Sequence, residues 1–230
     1  MKQLLLDLNK TDPPTLENFI PGNNTELLHA LKNLIAGRQK DRFLYLWGQA
    51  GSGRSHLLQA VTDVFLQQHQ QATYIDCALT DKFNFSATMA CVAVDNVERL
   101  DAPGQIKLFN LYNRIYENNQ GIFLASGTAP PAQLDLRPDL TTRLGWGLVY
   151  QVHELADENK IEVMKGHAKR CGFELSQEIC DYLLKHAQRD LPSLIKLINA
   201  LDRFSLARQR PVTLPLLREL LQSASSRAQN

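Results

Sequence analysis

The sequence feature that most constrains the fold is an apolar run followed by a glycine-rich turn and a helix-like pattern. Residues 43–47 have the length of a buried strand, residues 48–55 read GQAGSGRS, and helical spacing continues to about residue 68. The turn matches the phosphate-loop pattern GxxxxGK[ST], with arginine in the lysine position. Glycines allow several N–H groups to face one anion beside the positive end of a helix, so the pattern predicts a nucleotide-binding site. The alternative is a glycine-rich turn formed by chance.

Two side chains of this loop are candidates for direct contact with a nucleotide. Arg54 offers a fixed positive charge to the outer phosphates, and the hydroxyl of Ser55 is a candidate ligand for Mg²⁺. Arginine is bulkier than lysine and planar, so it does not replace lysine neutrally. We therefore expect a nucleotide to bind, and we expect poor hydrolysis by the loop itself.

Composition and charge limit the class of protein. A chain of 230 residues with 44% hydrophobic content can form one or two domains with a real core. A net charge of +1 argues against a nucleic-acid groove built from an overall basic excess. No apolar run approaches the length of a membrane span, and the leucines of residues 4–6 are too few for a signal peptide. We therefore expect a cytoplasmic protein without a membrane partner.

The four cysteines are Cys77, Cys91, Cys171 and Cys180. They show no CxxC spacing and lie in apolar contexts, which predicts buried thiols and not a disulfide framework or a metal site.

Strands and helices alternate through the first two thirds of the chain. The predicted strands cover residues 43–47, 72–77, 89–96, 121–126 and 148–152. The predicted helices cover residues 25–36, 55–68, 104–118 and 141–144. Asn24 or Thr25 caps the first of them, and the apolar side of the third includes Ile106 and Tyr116. This alternation predicts an α/β fold with a five-stranded parallel sheet flanked by helices, right-handed crossovers and a ligand at the carboxyl ends of the strands.

The third predicted strand ends in a carboxylate followed by an amide. Asp95 ends a fully apolar run. A Walker B aspartate stands at the same position and holds Mg²⁺ directly or through water. Alternatively, Asp95 is only a turn residue at the end of the strand. Active ATPases commonly carry a second acidic residue at the next position, where this chain has Asn96. An amide cannot act as a general base, which typically contributes about 10²–10⁴-fold to the rate, so intrinsic turnover should be slow.

The pattern becomes entirely helical after about residue 153. One helix covers residues 157–170, Ser176 caps a second, Pro192 lies in the first turn of a third, and residues 213–221 form the last. The predicted organisation is an N-terminal peptide, a nucleotide-binding α/β domain and an all-helical lid domain, at residues 1–12, 13–153 and 154–230.

Two apolar segments precede the first helix. Leu4, Leu6 and Leu8 stand at alternate positions before a break at Pro13-Pro14. Such a peptide can dock into the pockets of another protein, although a first strand or a frayed terminus gives the same pattern. Phe19 and Ile20 form a second, exposed-looking pair.

Four stretches together resemble the DnaA-related initiator family of the AAA+ ATPases. They are WGQAGSGRSHLL from residue 47, VAVDNVE from residue 92, PDLTTRLGWG from residue 138 and QLLLDL from residue 3. The resemblance covers nearly the whole chain. It implies an AAA+ P-loop domain with a C-terminal helical lid.

The resemblance also implies a role for each matching residue of the nucleotide site. Asp95 would serve Mg²⁺ together with Ser55, and Phe19 and Ile20 would flank the adenine. The residues at the phosphates would be Gly48, Gly51, Ser52, Gly53, Arg54, Ser55 and His56.

Arg143 stands in the PDLTTRLGWG stretch at the position of an arginine finger. The resemblance implies that it acts in trans, in the nucleotide site of a neighbouring ATP-bound DnaA initiator. Without the resemblance, a surface helix arginine is the simpler interpretation.

Gln3, Leu4, Leu6 and Leu8 resemble a peptide that binds the DNA polymerase sliding clamp, the beta subunit. Asp7 replaces the proline of that motif, whereas the leucine spacing for an apolar pocket is kept.

Two further positions depart from the family pattern. Thr128 stands where the sensor residue is commonly Asp or Asn, and its hydroxyl could still bind water or phosphate. Pro192 stands at the expected lid arginine, for which Arg189 is a nearby substitute. Together with Arg54 and Asn96, these departures predict a site that holds a nucleotide more than it hydrolyses one.

The resemblance therefore implies a negative regulator of replication initiation that docks on the DNA-loaded clamp and stimulates ATP hydrolysis by DnaA. No helix-turn-helix pattern follows Leu221, so we expect no sequence-specific DNA binding. One alternative is a stand-alone AAA+ ATPase acting as a helicase loader or remodelling factor. Another is a degenerate scaffold, and homo-oligomerisation stays open.

Overall fold

The computed structural model of the protein describes residues 13–79 and 89–227. The chain divides into two compact units, of which the first ends at Glu154 and the second begins at Leu155. The predicted clamp-binding residues and the connection at residues 80–87 lie outside the described residues.

A parallel sheet organises the first unit. Its strands within the described residues are β1 (Phe43–Trp47), β2 (Ala72–Asp76), β3 (Cys91–Asp95), β4 (Ile122–Gly127) and β5 (Leu148–Gln151). The strand order is β2-β3-β4-β1-β5, and every pairing is parallel. The predicted α/β class is confirmed. The inner strands are almost uniformly apolar because helices cover both faces, whereas the edge strand β5 alternates half-buried and exposed positions.

Helices on the two faces of the sheet enclose two hydrophobic clusters. The helices of this unit are α1 (Thr25–Ile35), α2 (Arg54–Gln67), α3 (Ala102–Asn118) and α4 (Pro138–Leu144). Leu44 and Leu46 of β1 pack with α1 and α2, whereas Phe43 and Tyr45 pack with α3 and α4. This alternation follows from the two-residue period of a strand, which sends successive side chains to opposite faces.

The second unit consists of helices around a core of its own. They are α5 (Asp157–Arg170), α6 (Gln177–His186), α7 (Leu191–Arg208) and α8 (Leu214–Arg227). Ser176 accepts a hydrogen bond from the N–H of Ile179 at 3.4 Å, as its predicted capping role requires. The side chain of Asp190 caps α7 in the same way, at 2.9 Å from the N–H of Ser193. Fully buried apolar side chains of these helices include Met164, Leu183, Leu194, Ile198 and Leu217.

Three helices are longer than the sequence predicted, of which α3 begins at Ala102 and not at residue 104. Helix α4 begins at Pro138 and not at residue 141, because the fixed φ of proline suits a first helical turn. Helix α8 continues to Arg227, beyond the predicted end at residue 221. No glycine or proline follows Pro215 within it, so the polar composition alone did not end the helix.

Burial differs from the prediction at several side chains. Phe19, predicted to be exposed, is buried, and Cys171, predicted to be buried, is exposed at the end of α5. Ile106 and Tyr116, assigned to the apolar side of α3, are 43% and 53% exposed. An apolar residue at helical spacing can lie beside the buried stripe and not in it, which spacing alone does not resolve.

Asn24 occupies the position before α1, but its side chain does not cap that helix. Its Nδ2 donates to the carbonyl of His153 at 2.9 Å, and its Oδ1 accepts from the N–H of His153 at 2.7 Å. The amide therefore joins two distant parts of the first unit.

Among the described residues, none of the helices combines the length and the apolar character that crossing a bilayer requires.

Candidate nucleotide-binding site

The loop between β1 and α2 has the backbone conformation that only glycine adopts easily. Gly51 and Gly53 have φ of +82° and +103°. A Cβ on Gly53 would lie 2.7 Å from Cε2 of Phe19, and a Cβ on Gly48 would lie 2.5 Å from the carbonyl oxygen of Val152. Close packing therefore excludes a side chain at two of these positions, in addition to the backbone strain at Gly53.

Buried polar atoms without a partner lie in and near this loop. Arg54, the first residue of α2, is only 7% exposed, and Ser52 is equally buried. In the part of the chain that the structure describes, Nη1 of Arg54 and Oγ of Ser52 have no hydrogen-bond partner. Buried polar groups are normally satisfied, and a buried cation is costly when it is not. A cation and a hydroxyl at the start of a helix fit an anionic ligand such as a phosphate.

Glu98 is a second charged side chain that acts on Tyr45, as Arg54 does. Its Oε2 is also buried and has no hydrogen-bond partner among the described residues. Burial raises the pKa of Tyr45, with the negative charge of Glu98 raising it further and the positive charge of Arg54 lowering it. The hydroxyl of Tyr45 therefore lies within the electrostatic range of both groups, and it donates to the carbonyl of Ala129 at 2.9 Å.

Asp95 lies at the carboxyl end of β3 and is fully buried. Three donors surround its carboxylate. The hydroxyl of Tyr74 donates to Oδ2 at 2.8 Å, while the N–H of Asn96, at 3.0 Å, and the hydroxyl of Ser126 donate to Oδ1. Burial is the main cause that raises the pKa of Tyr74, with the charge of Asp95 adding to it. These donors hold the carboxylate in one orientation, and its remaining acceptor capacity suits Mg²⁺ or a water bound to Mg²⁺.

Asn96 has a left-handed backbone, with φ 55° and ψ 48°. Its Nδ2 donates to Oδ1 of Asp76, the last residue of β2, at 2.8 Å. The amide is therefore directed at a neighbouring carboxylate, and it offers no proton acceptor of the kind that a hydrolytic base requires.

Three polar residues at this edge were not among the sequence candidates: Tyr74, Asp76 and Ser126. Their strands β2 and β4 flank β3, and Asp76 stands opposite Asp95 in the parallel register. Thr128, the candidate sensor residue, is exposed two residues beyond Ser126. A search for polar residues at the ends of adjacent strands could have found these positions once the strand order was known.

Phe19 and His56 lie together beside the phosphate loop. Their ring centroids are 5.5 Å apart, and Phe19 packs against Gly53. Nε2 of His56 donates to the carbonyl of Thr15 at 2.8 Å. Burial lowers the pKa of His56, and the Thr15 carbonyl partly offsets this effect. Ile20 is half-buried in the same segment. The hydrogen bond from His56 to Thr15 therefore connects this segment to the start of α2.

Divalent metal binding by protein groups alone is not indicated. Across residues 13–79 and 89–227, no group of three or more His, Cys, Asp or Glu side chains is placed to hold a metal ion. Asp95 and Ser55 would therefore bind Mg²⁺ only together with phosphate oxygens and water, which is the usual arrangement for this ion.

Arg143 lies near the end of α4, among aromatic side chains. Its Cζ is 3.9 Å from the ring centroid of Trp146, and 5.9 Å and 6.0 Å from those of Phe109 and Tyr116. The side chain is half-buried. The candidate finger thus contacts two aromatic rings of α3 and the indole that follows α4.

Pro192 and Arg189, the residues considered for the lid arginine, both lie in the second unit. Pro192 lies in the first turn of α7, and Arg189 forms an ion pair with Asp157. Both partners of this pair are exposed, so its contribution to stability is small.

A parallel sheet with a phosphate loop after β1, a buried aspartate at the end of β3 and a following helical unit defines the AAA+ class of P-loop proteins. Comparison with protein families agrees with this class. The bacterial DnaA ATPase domain matches residues 11–98, and the Hda lid domain matches residues 157–221.

Solved structures give the same result. AMPPCP-bound DnaA from Aquifex aeolicus is 26% identical with a TM-score of 0.69, over 82% of this chain and 65% of that chain. Domain III of Thermotoga maritima DnaA is 21% identical with a TM-score of 0.76, over 92% of this chain and 97% of that chain. The T. maritima RuvB Holliday junction branch migration motor shares the fold at 14% identity and a TM-score of 0.68, over 92% of this chain and 72% of that chain.

The chain is therefore a DnaA-related AAA+ protein, close to Hda in its lid. It spans about two thirds of the length of the Aquifex DnaA chain.

Proposed function

We propose that this protein is a nucleotide-bound negative regulator of DNA replication initiation. It holds ADP or ATP with Mg²⁺, docks on the DNA-loaded sliding clamp through Gln3, Leu4, Leu6 and Leu8, and stimulates ATP hydrolysis by DnaA through Arg143. Hydrolysis then leaves the initiator with ADP. The setting is the cytoplasm.

The observation that carries the proposal is the contrast between the home nucleotide site and Arg143. The home site has an unpartnered buried cation for phosphate, but an amide bound to Asp76 where a hydrolytic base is expected. Arg143, on α4, is half-buried beside Trp146, which is 56% exposed. A site that binds without efficient turnover, combined with a partly exposed arginine on another helix, suits an activator of another ATPase.

An arginine supplied in trans stabilises the charge that develops on the transferred phosphoryl group, and in related systems it raises the rate about 10³–10⁵-fold. Tethering to the clamp raises the local concentration of the activator, so a weak direct contact with the initiator suffices.

The test mixes this protein with ATP-loaded DnaA and clamped DNA, and follows ADP formation. We expect Arg143→Ala to abolish most of the stimulation, and deletion of residues 1–10 to weaken it in a way that a high protein concentration restores. Arg137→Ala is the matched control, because Arg137 lies beside the same helix, is exposed and pairs with Asp139 at 2.7 Å. Full stimulation by Arg143→Ala would overturn the proposal.

One observation favours a second candidate, a stand-alone ATPase acting as a helicase loader or remodelling factor. Glu98 has a buried carboxylate oxygen without a hydrogen-bond partner among the described residues. Such a carboxylate could orient water in place of the missing acid at position 96. This candidate predicts brisk ATP hydrolysis by the protein alone and its loss in Glu98→Gln. The regulator proposal predicts slow hydrolysis in both proteins.

A further inference from the structure

The guanidinium of Arg143 lies against the indole of Trp146, with 3.9 Å between Cζ and the ring centroid. This is well within the distance at which a cation and an aromatic face attract each other. Arginine is suited to such a contact, because its planar group stacks on a ring while its N–H donors stay directed outward.

The backbone holds Trp146 in place at two points. Its N–H donates to the carbonyl of Arg143 at 3.2 Å, which closes the end of α4. On the other side, a Cβ on Gly147 would lie 2.3 Å from the carbonyl oxygen of Phe43. Gly147 therefore lies directly beside the start of β1, where β5 begins to pair with it, and a side chain at position 147 would clash with β1.

A second aromatic ring supports the indole. Tyr116 of α3 meets Trp146 edge-to-face, with 6.3 Å between ring centroids, and Phe43 of β1 lies 6.0 Å from Tyr116. Edge-to-face contacts favour one relative orientation of the rings. The indole is thus connected to the sheet through a row of rings, and it is still 56% exposed.

We propose that Trp146 is a positioning residue for Arg143. Its indole holds the guanidinium in one outward orientation before a partner arrives, so that less side-chain freedom is lost when the arginine meets a phosphate. This inference rests on the proposed function, because it assumes that Arg143 acts in trans on DnaA-bound ATP.

The kinetic test compares Trp146→Leu with Trp146→Phe in the DnaA hydrolysis assay, as a function of DnaA concentration. Leucine keeps an apolar side chain and removes the aromatic face, whereas phenylalanine keeps a face. We expect Trp146→Leu to lower the maximal rate by about tenfold or more, since small misplacements of a reacting group cost up to roughly 10²-fold. The half-saturating concentration should change far less, and Trp146→Phe should restore most of the rate. A change confined to the half-saturating concentration, or equal rates for all variants, would overturn the proposal.

A spectroscopic test needs no partner. In ¹⁵N-labelled protein, the Nε–Hε signal of Arg143, identified by its loss in Arg143→Lys, should be shifted upfield by the ring current of Trp146. The shift should disappear in Trp146→Leu, provided that this variant keeps its unfolding temperature. An unshifted signal in the unaltered protein overturns the proposal even if the leucine variant does not fold. If Arg143→Ala leaves DnaA hydrolysis intact, the proposed function fails, whatever the role of Trp146. The spectroscopic result tests the position of Arg143 on the indole alone, so it separates failure of this inference from failure of the proposed function.

Discussion

The side-chain amide of Asn96 donates a hydrogen bond to the carboxylate of Asp76, with 2.8 Å between Nδ2 and Oδ1. The amide lies between the ends of two adjacent strands, since Asp76 and Asp95 are partners in the parallel register. Position 96 therefore supplies donors to both carboxylates, its backbone N–H to Asp95 and its side chain to Asp76. An acid at this position would place a third negative charge beside them.

The first prediction concerns this arrangement. We expect Asn96→Asp to lower the free energy of unfolding by about 1–3 kcal/mol at neutral pH, because it replaces a donor to a charged group by a like charge. Urea unfolding without Mg²⁺ measures the loss. Added Mg²⁺ should restore part of it, because an ion that binds the native state stabilises that state.

Asn119→Asp is the matched control for this change. Asn119 also has a left-handed backbone, with φ 50°, but its Oδ1 accepts from Nη2 of Arg42 at 2.7 Å. A carboxylate there faces a cation, so stability should hold or rise slightly. Equal losses for the two variants would contradict the interpretation of the Asp76 contact.

The second prediction concerns the donors to Asp95. Ser126→Ala removes a hydroxyl from a fully buried carboxylate, which should cost about 1–3 kcal/mol of stability. Tyr74→Phe removes the donor to the other oxygen, at 2.8 Å, and the double variant should depart from additivity because both hydroxyls serve one group. Thr128→Val, at an exposed position, should stay within about 0.5 kcal/mol. A Ser126→Ala variant as stable as Thr128→Val would refute this account.

The third prediction separates backbone strain from a steric clash at glycine. Gly53 and Gly172 have similar φ, +103° and +91°, but a Cβ on Gly53 meets Phe19 at 2.7 Å and a Cβ on Gly172 meets nothing within 4 Å. Gly53→Ala should therefore destabilise the protein by at least about 1 kcal/mol more than Gly172→Ala, since overpacking adds to strain. Phe19→Leu, introduced into the Gly53→Ala variant, should recover part of the difference. Urea unfolding of the three single variants and this double variant measures it. Equal costs at the two glycines would show that Phe19 moves aside freely.

The fourth prediction concerns thiol reactivity. Burial raises the pKa of Cys91 and of Cys77 to about 12, so neither forms a reactive thiolate near neutral pH. Cys171 is exposed. A thiol reagent followed by mass spectrometry should modify Cys171 first and the buried cysteines only with unfolding. The variant Cys171→Ser should show no fast phase, and fast modification of Cys91 in the folded protein would contradict the assigned burial.

The fifth prediction concerns acid stability. Burial lowers the pKa of His56 below its ordinary value of 6.5. The unfolded chain therefore binds a proton near pH 6.5, whereas the folded protein binds it only at lower pH. Stability from this group is present above about pH 6.5 and decreases as the pH falls through the folded pKa.

His56→Gln should flatten this part of the pH profile in urea unfolding experiments. His29→Gln, at an exposed position of α1, should leave the profile unchanged. An unaltered slope in His56→Gln would show that another group causes the acid dependence.

The elements that the sequence predicted correctly all rest on local spacing. The phosphate loop, the apolar strands and the cap at Ser176 depend on residues a few positions apart. A prediction from local spacing was wrong where the side chain binds a residue far away in the chain instead. Asn24 has the right chemistry for a helix cap, but it binds His153, 129 residues away.

The sequence by itself determined the order of strands and helices, the position of the phosphate loop and the presence of Asp95, Asn96 and Arg143. These follow from periodicity and residue chemistry, which act over single turns and single strands. Only the tertiary structure decided that Ser126 and Tyr74 hold Asp95, that Phe19 closes on Gly53 and that Arg143 rests on a ring supported by α3. Such contacts join residues far apart in the chain, so they depend on how strands order themselves in the sheet, and no local pattern encodes that order.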